Sequence, residues 1–335
     1  MNMEEPGYIS LYHSGELQRR AEKLEERLSE CDICPRECGT DRLAGKTGSC
    51  HSGLLPIIST VCAHHGEEPA LSGRRGSGTI FFANCNLRCV YCQNYQISQE
   101  PENKQHDEIS TRGLAECMLY LQDDLKCHNI NLVTPSHFVP QIVRAVLEAV
   151  PMGLTLPLVY NTSSYDSTRT LQELDGIISI YLADLRYSSD GYARKYSHVR
   201  HYVESSHSAI REMYRQVGDL EVDEDGIARK GLIIRHLILP DDIAGSEESL
   251  RWLVDEISPR VTVSIMSQYH PSYRAYKYRE LNRRITKEEY ARVVRLVDKL
   301  GMENGWLQGM ESPRYYLPDF STDELFLKKE QNQKS

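Results

Sequence analysis

The chain has no apolar run that approaches a membrane span and no excess of basic residues. It has no secretory signature at its N-terminus, and no short internal repeat or low-complexity segment. Each absence excludes a class. The net charge of -9 speaks against a general nucleic-acid binder, which would carry a basic face. The opening Met1-Asn2-Met3-Glu4-Glu5 is acidic rather than signal-like, so export is not expected. Ten cysteines without such a signal point to reduced thiols and metal ligation, not disulfides, and to a reducing cytoplasm. The 335 residues suffice for one large core with an appendage, but leave no room for a separate cobalamin domain.

What the chain does have is cysteine in groups. Cys85, Cys89 and Cys92 are spaced Cys-x3-Cys-x2-Cys and follow the β-branched and aromatic run Thr79 to Ala83, a predicted buried strand. Three thiolates at a strand end can hold three corners of a cubic iron–sulfur cluster. Most such clusters take four thiolates, so the fourth iron would stay open to another molecule. A zinc site or packed core cysteines are the alternatives. A second group, Cys31, Cys34, Cys38 and Cys50, lies among glycines and charges with little apolar material to fold it. A metal would have to supply folding energy there. A closed structural site for zinc or iron, or an auxiliary cluster, suits four thiolates.

The remaining pattern is α/β. Residues 14 to 30 read as a helix capped by Ser14, with Leu17, Ala21, Leu24 and Leu28 as its stripe. Leu54 to Val61 reads as a strand. Cys62 and His65 are expected to be structural, and Glu67 and Glu68 to border a substrate opening. Beyond the cysteines, strands are predicted at Ile130 to Val133, Thr155 to Tyr160, Ile177 to Leu182, Leu232 to Leu239 and Val261 to Met266. Helices alternate with them, capped by Thr111, Ser246 and the capping box Thr286-x-x-Glu289; one helical region spans 188 to 218. Six strands in a βα repeat predict a partial (β/α)6 barrel. The polar residues Asn161, Asp184, Gln268 and His270 fall at strand ends, where βα folds carry their sites. His128, His198, His201 and His207 are expected on solvated loops or helix faces, and the tyrosines from Tyr187 to Tyr202 as packing.

With these motifs the chain resembles the radical S-adenosylmethionine superfamily. Within it, the resemblance is to the pyruvate formate-lyase activating enzymes and a related, uncharacterised iron–sulfur branch. Cys31-x2-Cys34-Pro35-Arg36-x-Cys38, Cys92-Gln93-Asn94-Tyr95, Val133-Thr134-Pro135-Ser136-His137-Phe138, Tyr160-Asn161-Thr162-Ser163, Tyr181-Leu182-Ala183-Asp184, Arg235 to Pro240 and Gln268-Tyr269-His270-Pro271 carry it. The resemblance implies a 4Fe-4S cluster on Cys85, Cys89 and Cys92, with Tyr91 near the adenine of S-adenosylmethionine. It puts Thr134 and Ser136 on the turn that meets the amino group, Asn161 and Ser163 after the third strand, and Asp184 and Arg186 after the fourth. Arg186 stands where relatives have lysine; its planar guanidinium can grip a carboxylate with two hydrogen bonds. His270 matches a histidine near the ribose and methionine. Asn161-Thr162-Ser163-Ser164 lacks the carboxylate that relatives place near a monovalent cation. The implied activity is reductive cleavage of S-adenosylmethionine and hydrogen abstraction from a protein or peptide. Another peptide, a small metabolite, or a non-catalytic electron-transfer role are the alternatives. The implied electron donor is flavodoxin or ferredoxin. The expected divisions are 1–75 (helix and cysteine-rich segment), 76–310 (core) and 311–335 (C-terminal extension).

Overall fold

The alternation of β-branched runs with amphipathic segments becomes a parallel sheet backed by helices. A computed structural model describes residues 5–99, 107–310 and 320; the extension expected over 311–335 otherwise lies outside them. Two helices open the chain, α1 (Gly7–His13) and α2 (Glu16–Glu26). Next come strand β1 (Ile57–His64), the short helix α3 (Pro69–Ser72), β2 (Ser77–Phe82), α4 (Tyr95–Ser98) and β3 (Asp107–Glu108). The repeat then runs α5 (Thr111–Leu119), β4 (Ile130–Val133), α6 (Val139–Ala149), β5 (Leu158–Thr162), α7 (Thr168–Gln172) and β6 (Ile180–Asp184). It closes with α8 (Asp190–Ser197), α9 (Tyr202–Val217), β7 (Glu221–Val222), β8 (Ala228–Leu237), α10 (Ser246–Glu256), β9 (Thr262–Met266), α11 (Lys287–Lys299) and β10 (Gly305–Leu307).

The sheet order is β10-β9-β8-β6-β5-β4-β2-β1-β3, with β7 paired to β8. β2, β4, β5, β6, β8, β9 and β10 pair in parallel and lie side by side in chain order, while β7 adds to β8 antiparallel. An ordered parallel sheet with same-handed crossovers puts its major helices on one face. The other face is left to curl around a cavity. The (β/α)6 pattern is therefore present, open-edged, with β10 as a seventh parallel strand that the sequence pattern did not announce. The antiparallel strand β1 flanks β2, close to the strand expected over Leu54 to Val61.

Alternation along each strand separates the two faces. Ile80, Leu132, Tyr160, Tyr181, Ile234 and Ile265 point into the main core with the helices. Residues of the opposite parity, Phe81, Val133, Asn161, Asp184, Arg235 and Ser264, line the cavity. The strands expected over Thr155 to Tyr160 and Ile177 to Leu182 sit two or three residues later, at Leu158–Thr162 and Ile180–Asp184. Asn161 and Asp184 are therefore strand residues, not loop residues, and strand geometry aims them inward. Buried polar groups on the core face are paired: Tyr181 Oη donates to Gln216 at 2.6 Å, and Tyr160 Oη to Asp166 at 2.8 Å. Gly78 permits close approach on β2, where an added Cβ would stand 2.6 Å from the Asn129 carbonyl.

Helix α2 buries the expected stripe, Leu17, Ala21 and Leu24, and Arg144 on α6 grips Glu25 with two hydrogen bonds. Several boundaries differ from expectation. Ser14 does not cap α2; Gly15 in the left-handed region does (φ 78), and the Ser14 hydroxyl bonds Leu11. Ser110 rather than Thr111 caps α5. Gly245 caps α10, and Ser246 instead pairs with the buried His236 at 2.9 Å. The helical region over 188 to 218 is two helices, because His198 and His201 both take left-handed backbone (φ 53) and break it. The capping box at Thr286 and Glu289 is formed. No helix among the described residues is long and apolar enough to cross a membrane.

Candidate functional site

The loop after β2 carries the three cysteines. It turns at Asn84 (φ 67), whose amide donates to the His51 carbonyl at 3.1 Å and the Ser52 hydroxyl at 3.2 Å. Arg88 donates to the Cys85 carbonyl at 2.8 Å and to the Ser49 carbonyl at 2.9 Å, and Arg36 to the Asn86 carbonyl at 2.5 Å. These bonds tie the loop to the N-terminal cysteine segment. Each of the three sulfurs has a polar neighbour. The Leu87 N–H donates to Cys85 at 3.3 Å; the Ser197 hydroxyl lies 3.0 Å from Cys89, and the Ser98 hydroxyl 3.1 Å from Cys92. Tyr91 lies between Cys89 and Cys92, with its hydroxyl 2.5 Å from that of Tyr187.

Burial pushes the Cys85 thiol up to about 12 and that of Cys92 up to about 11, and repulsion from Cys89 adds to both. In the ligand-free chain these groups are neutral thiols. A cationic metal centre at this spot would reverse the balance and hold them as thiolates. No three His, Cys, Asp or Glu side chains among the described residues are arranged to hold a single metal ion.

The three cysteines border a cavity of about 450 Å3, within the range of small-molecule sites. Cys85, Cys89, Cys92, Tyr91, Thr134, Ser136, Asn161, Ser163, Asp184 and Arg186 all line it. His270 does not: it lies outside the cavity wall, half-buried, with Nδ1 unbonded. Thr134 holds a left-handed backbone (φ 62), and its N–H donates to the Asn161 carbonyl at 2.9 Å.

The inner end of the cavity is charged. Arg235 on β8 donates to Asp184 at 2.7 Å and to Asn161 at 2.6 Å, and lies 3.5 Å from Glu67. Arg186 also pairs with Asp184, which leaves its Nε buried without a partner. Asn131 donates to Glu67 at 3.1 Å. Glu68 is buried, lines the same end and accepts from the Ser264 hydroxyl. Sequence reasoning missed Arg235, although an arginine at inward parity directly after the apolar run Leu232-Ile233-Ile234 was the available signal. It expected Glu67 and Glu68 to border a substrate opening, and both line the cavity.

The four N-terminal cysteines form a separate cluster. Cys31, Cys34 and Cys50 are buried, and Cys38 is half-buried. Burial raises Cys34 to about 12, and the charges of Cys50, Cys31 and Cys38 add to it, so the four sulfurs are electrostatic neighbours. A side chain at Gly48 would press within 3.0 Å of Cys38 Sγ. Arg42 runs fully buried beside them, donating to the Gly53 carbonyl at 2.7 Å and the His137 carbonyl at 2.8 Å. The other candidates are structural. Cys62 is partly buried on β1, Cys127 is in the core, and His207 stacks on Trp252 with ring centroids 3.6 Å apart. His128, expected in solvent, is buried, with Nδ1 3.0 Å from Arg75.

No family model matches the chain. It is 26% identical over 291 residues to an uncharacterized protein of Methanocaldococcus jannaschii, MJ0674, spanning 86% of this chain and 80% of that one. It is 24% identical over 176 residues to a second uncharacterized protein of that organism, MJ0808, spanning 49% of this chain and 45% of that one. Among solved structures it is similar to TYW1 with a lysine-pyruvate adduct bound, at TM-score 0.41 and 11% identity over 68% of this chain and 74% of that one. It is also similar to HydG, a maturase of the FeFe-hydrogenase, at TM-score 0.45 and 10% identity over 67% of this chain and 49% of that one. Scores this low carry no argument, and neither uncharacterized relative lends an activity.

Proposed function

We propose that the chain is a radical S-adenosylmethionine enzyme that abstracts hydrogen from a protein or peptide, in the manner of a glycyl-radical activase. One observation carries the reading: Cys85, Cys89 and Cys92 open together onto a single cavity at the C-terminal ends of parallel strands. The donor set fits the cofactors. Two of the three thiols, Cys85 and Cys92, are raised by burial and gain from a cationic cluster, and a buried guanidinium with an unbonded Nε suits a ligand carboxylate.

A 4Fe-4S cluster and S-adenosylmethionine supply one-electron carbon–sulfur cleavage and a 5′-deoxyadenosyl radical. The chain's own residues do the positioning. Cys85, Cys89 and Cys92 hold the cluster, and the Ser197 and Ser98 hydroxyls donate to two of their sulfurs. Arg186, kept in place by Asp184, offers Nε to the carboxylate of S-adenosylmethionine. Thr134 and Ser136 stand on the turn across the cavity, and Tyr91 borders the nucleoside side. Phe81, Val133, Leu237 and Met266 line the wall with apolar surface that keeps water from reactive carbon. Flavodoxin or ferredoxin supplies the electron. Cys31, Cys34, Cys38 and Cys50, whose sulfurs are electrostatic neighbours, would draw together around a structural zinc or iron or an auxiliary cluster once it is supplied, and so brace the loop of Cys85.

The test is anaerobic reconstitution of the full chain with iron and sulfide, then dithionite and S-adenosylmethionine, with 5′-deoxyadenosine measured by chromatography. Product well above a cluster-free control is expected. No product above that control overturns the reading.

A further inference from the structure

The charges at the inner end of the cavity do not balance. Two guanidiniums, Arg186 and Arg235, face three carboxyl groups, Asp184, Glu67 and Glu68. Asp184 takes a bond from each guanidinium. Glu67 shares Arg235 and accepts from the amides of Asn131 and Asn161. Glu68 is left over. It is 8% exposed, it lines the cavity, and its Oε2 has no hydrogen-bond partner. A buried carboxylate oxygen without a donor is costly, and a ligand that brings a positive donor removes that cost.

We propose that this inner end is the substrate pocket and that it takes an alkylammonium group, seated against Glu68 and Glu67 with Ser264 as its neutral neighbour. Three features fit an ammonium rather than an anion or an apolar group. Two adjacent carboxyls converge there, the nearest guanidinium is already engaged by Asp184 and Asn161, and the free oxygen is an acceptor. The naming of this group as substrate rests on the radical chemistry proposed above; the binding of the cation does not.

Burial also pushes Glu68 up to about 7, Arg235 on β8 opposing the rise and Glu67 adding to it. The other charged groups at this end are Asp184 on β6 and Arg186 beyond it, and His64 on β1 is held down to about 4 by burial and so is neutral. Cation binding needs the ionised carboxylate, so affinity falls as pH drops below about 7, approaching tenfold per unit.

The experiment uses the reconstituted full chain and calorimetric titration with n-butylammonium, with 1-butanol as the uncharged counterpart and a blocked Gly-Lys-Gly peptide as a third probe. Saturable binding of butylammonium, at least about tenfold tighter than butanol, is expected. Glu68→Gln weakens it at least about tenfold and flattens its pH dependence, while Glu68→Asp keeps both the pH dependence and most of the affinity. Binding of the peptide with the amine assigns the group to a lysyl side chain; binding of the amine alone assigns it to a small metabolite. Equal binding of butanol, no binding of butylammonium or the peptide, or unchanged binding in a folded Glu68→Gln protein overturns the proposal. The two readings fail separately. A parent that binds butylammonium through Glu68 but forms no 5′-deoxyadenosine sinks only the radical chemistry. One that forms 5′-deoxyadenosine but binds neither cation sinks only the pocket.

Discussion

Two groups of cysteines, fewer than 40 residues apart in sequence, face different worlds. Cys31, Cys34, Cys38 and Cys50 sit among glycine turns and backbone bonds and line no part of the cavity. Cys85, Cys89 and Cys92 are three, and they open on a polar cavity. A complete thiolate set saturates its metal and can only stabilise; an incomplete set leaves a coordination position for chemistry. The difference lies in ligand count and access, since burial raises a thiol in each group, Cys34 in one and Cys85 in the other. The groups are also mechanically joined. Asn84, Arg88 and Arg36 bond across from the cluster loop to the N-terminal segment, or the reverse.

The sharpest way to break this contrast is Cys89→Ala. The variant should stay folded and lose 5′-deoxyadenosine formation by at least about 100-fold, read by chromatography. Retained product would mean that the two groups are not divided as described. Cys34→Ser should do the opposite. Elemental analysis should show the loss of one metal site, and the thermal midpoint should fall by about 5 to 10 °C. An unchanged metal content would make the N-terminal group ordinary buried thiols. Arg42→Met probes the link between the regions, because it strips donors from the Gly53 and His137 carbonyls. A loss of about 2–3 kcal/mol in denaturant unfolding is expected, with a drop in product because His137 follows the Thr134–Ser136 turn. Full activity in a destabilised protein would show that the regions act independently. The smallest effect belongs to Thr286→Ala, far from both groups. Loss of its capping box should cost about 1 kcal/mol and leave product formation unchanged, giving the baseline for a purely structural lesion.

The parts of the molecule that were legible in the sequence were those set by local chemistry. β-Branched runs became strands, and the α2 stripe became a buried face. The spacing of Cys85, Cys89 and Cys92 brought them to one cavity. What was not legible depends on neighbours distant in sequence. Arg235 meets Asp184 because β6 and β8 pair in a register that opposes those two residues, and no window of either strand contains that fact. Glu68 reaches Ser264 across nearly 200 residues. The break between α8 and α9 was hidden because histidine, not glycine, takes the left-handed positions. β10 escaped notice because three residues are too few to show a period.

The strict left-to-right order of the parallel strands has a consequence for assembly during synthesis. The sulfur-bearing loop belongs to the first of these strands, whereas Arg235 and Ser264 arrive on β8 and β9. A nascent chain emerging from the ribosome therefore displays its cysteine-bearing half before the strands that carry Arg235 and Ser264 are made. The cysteine side of the cavity is thus made as an open trough, and its charged end is built against it afterwards.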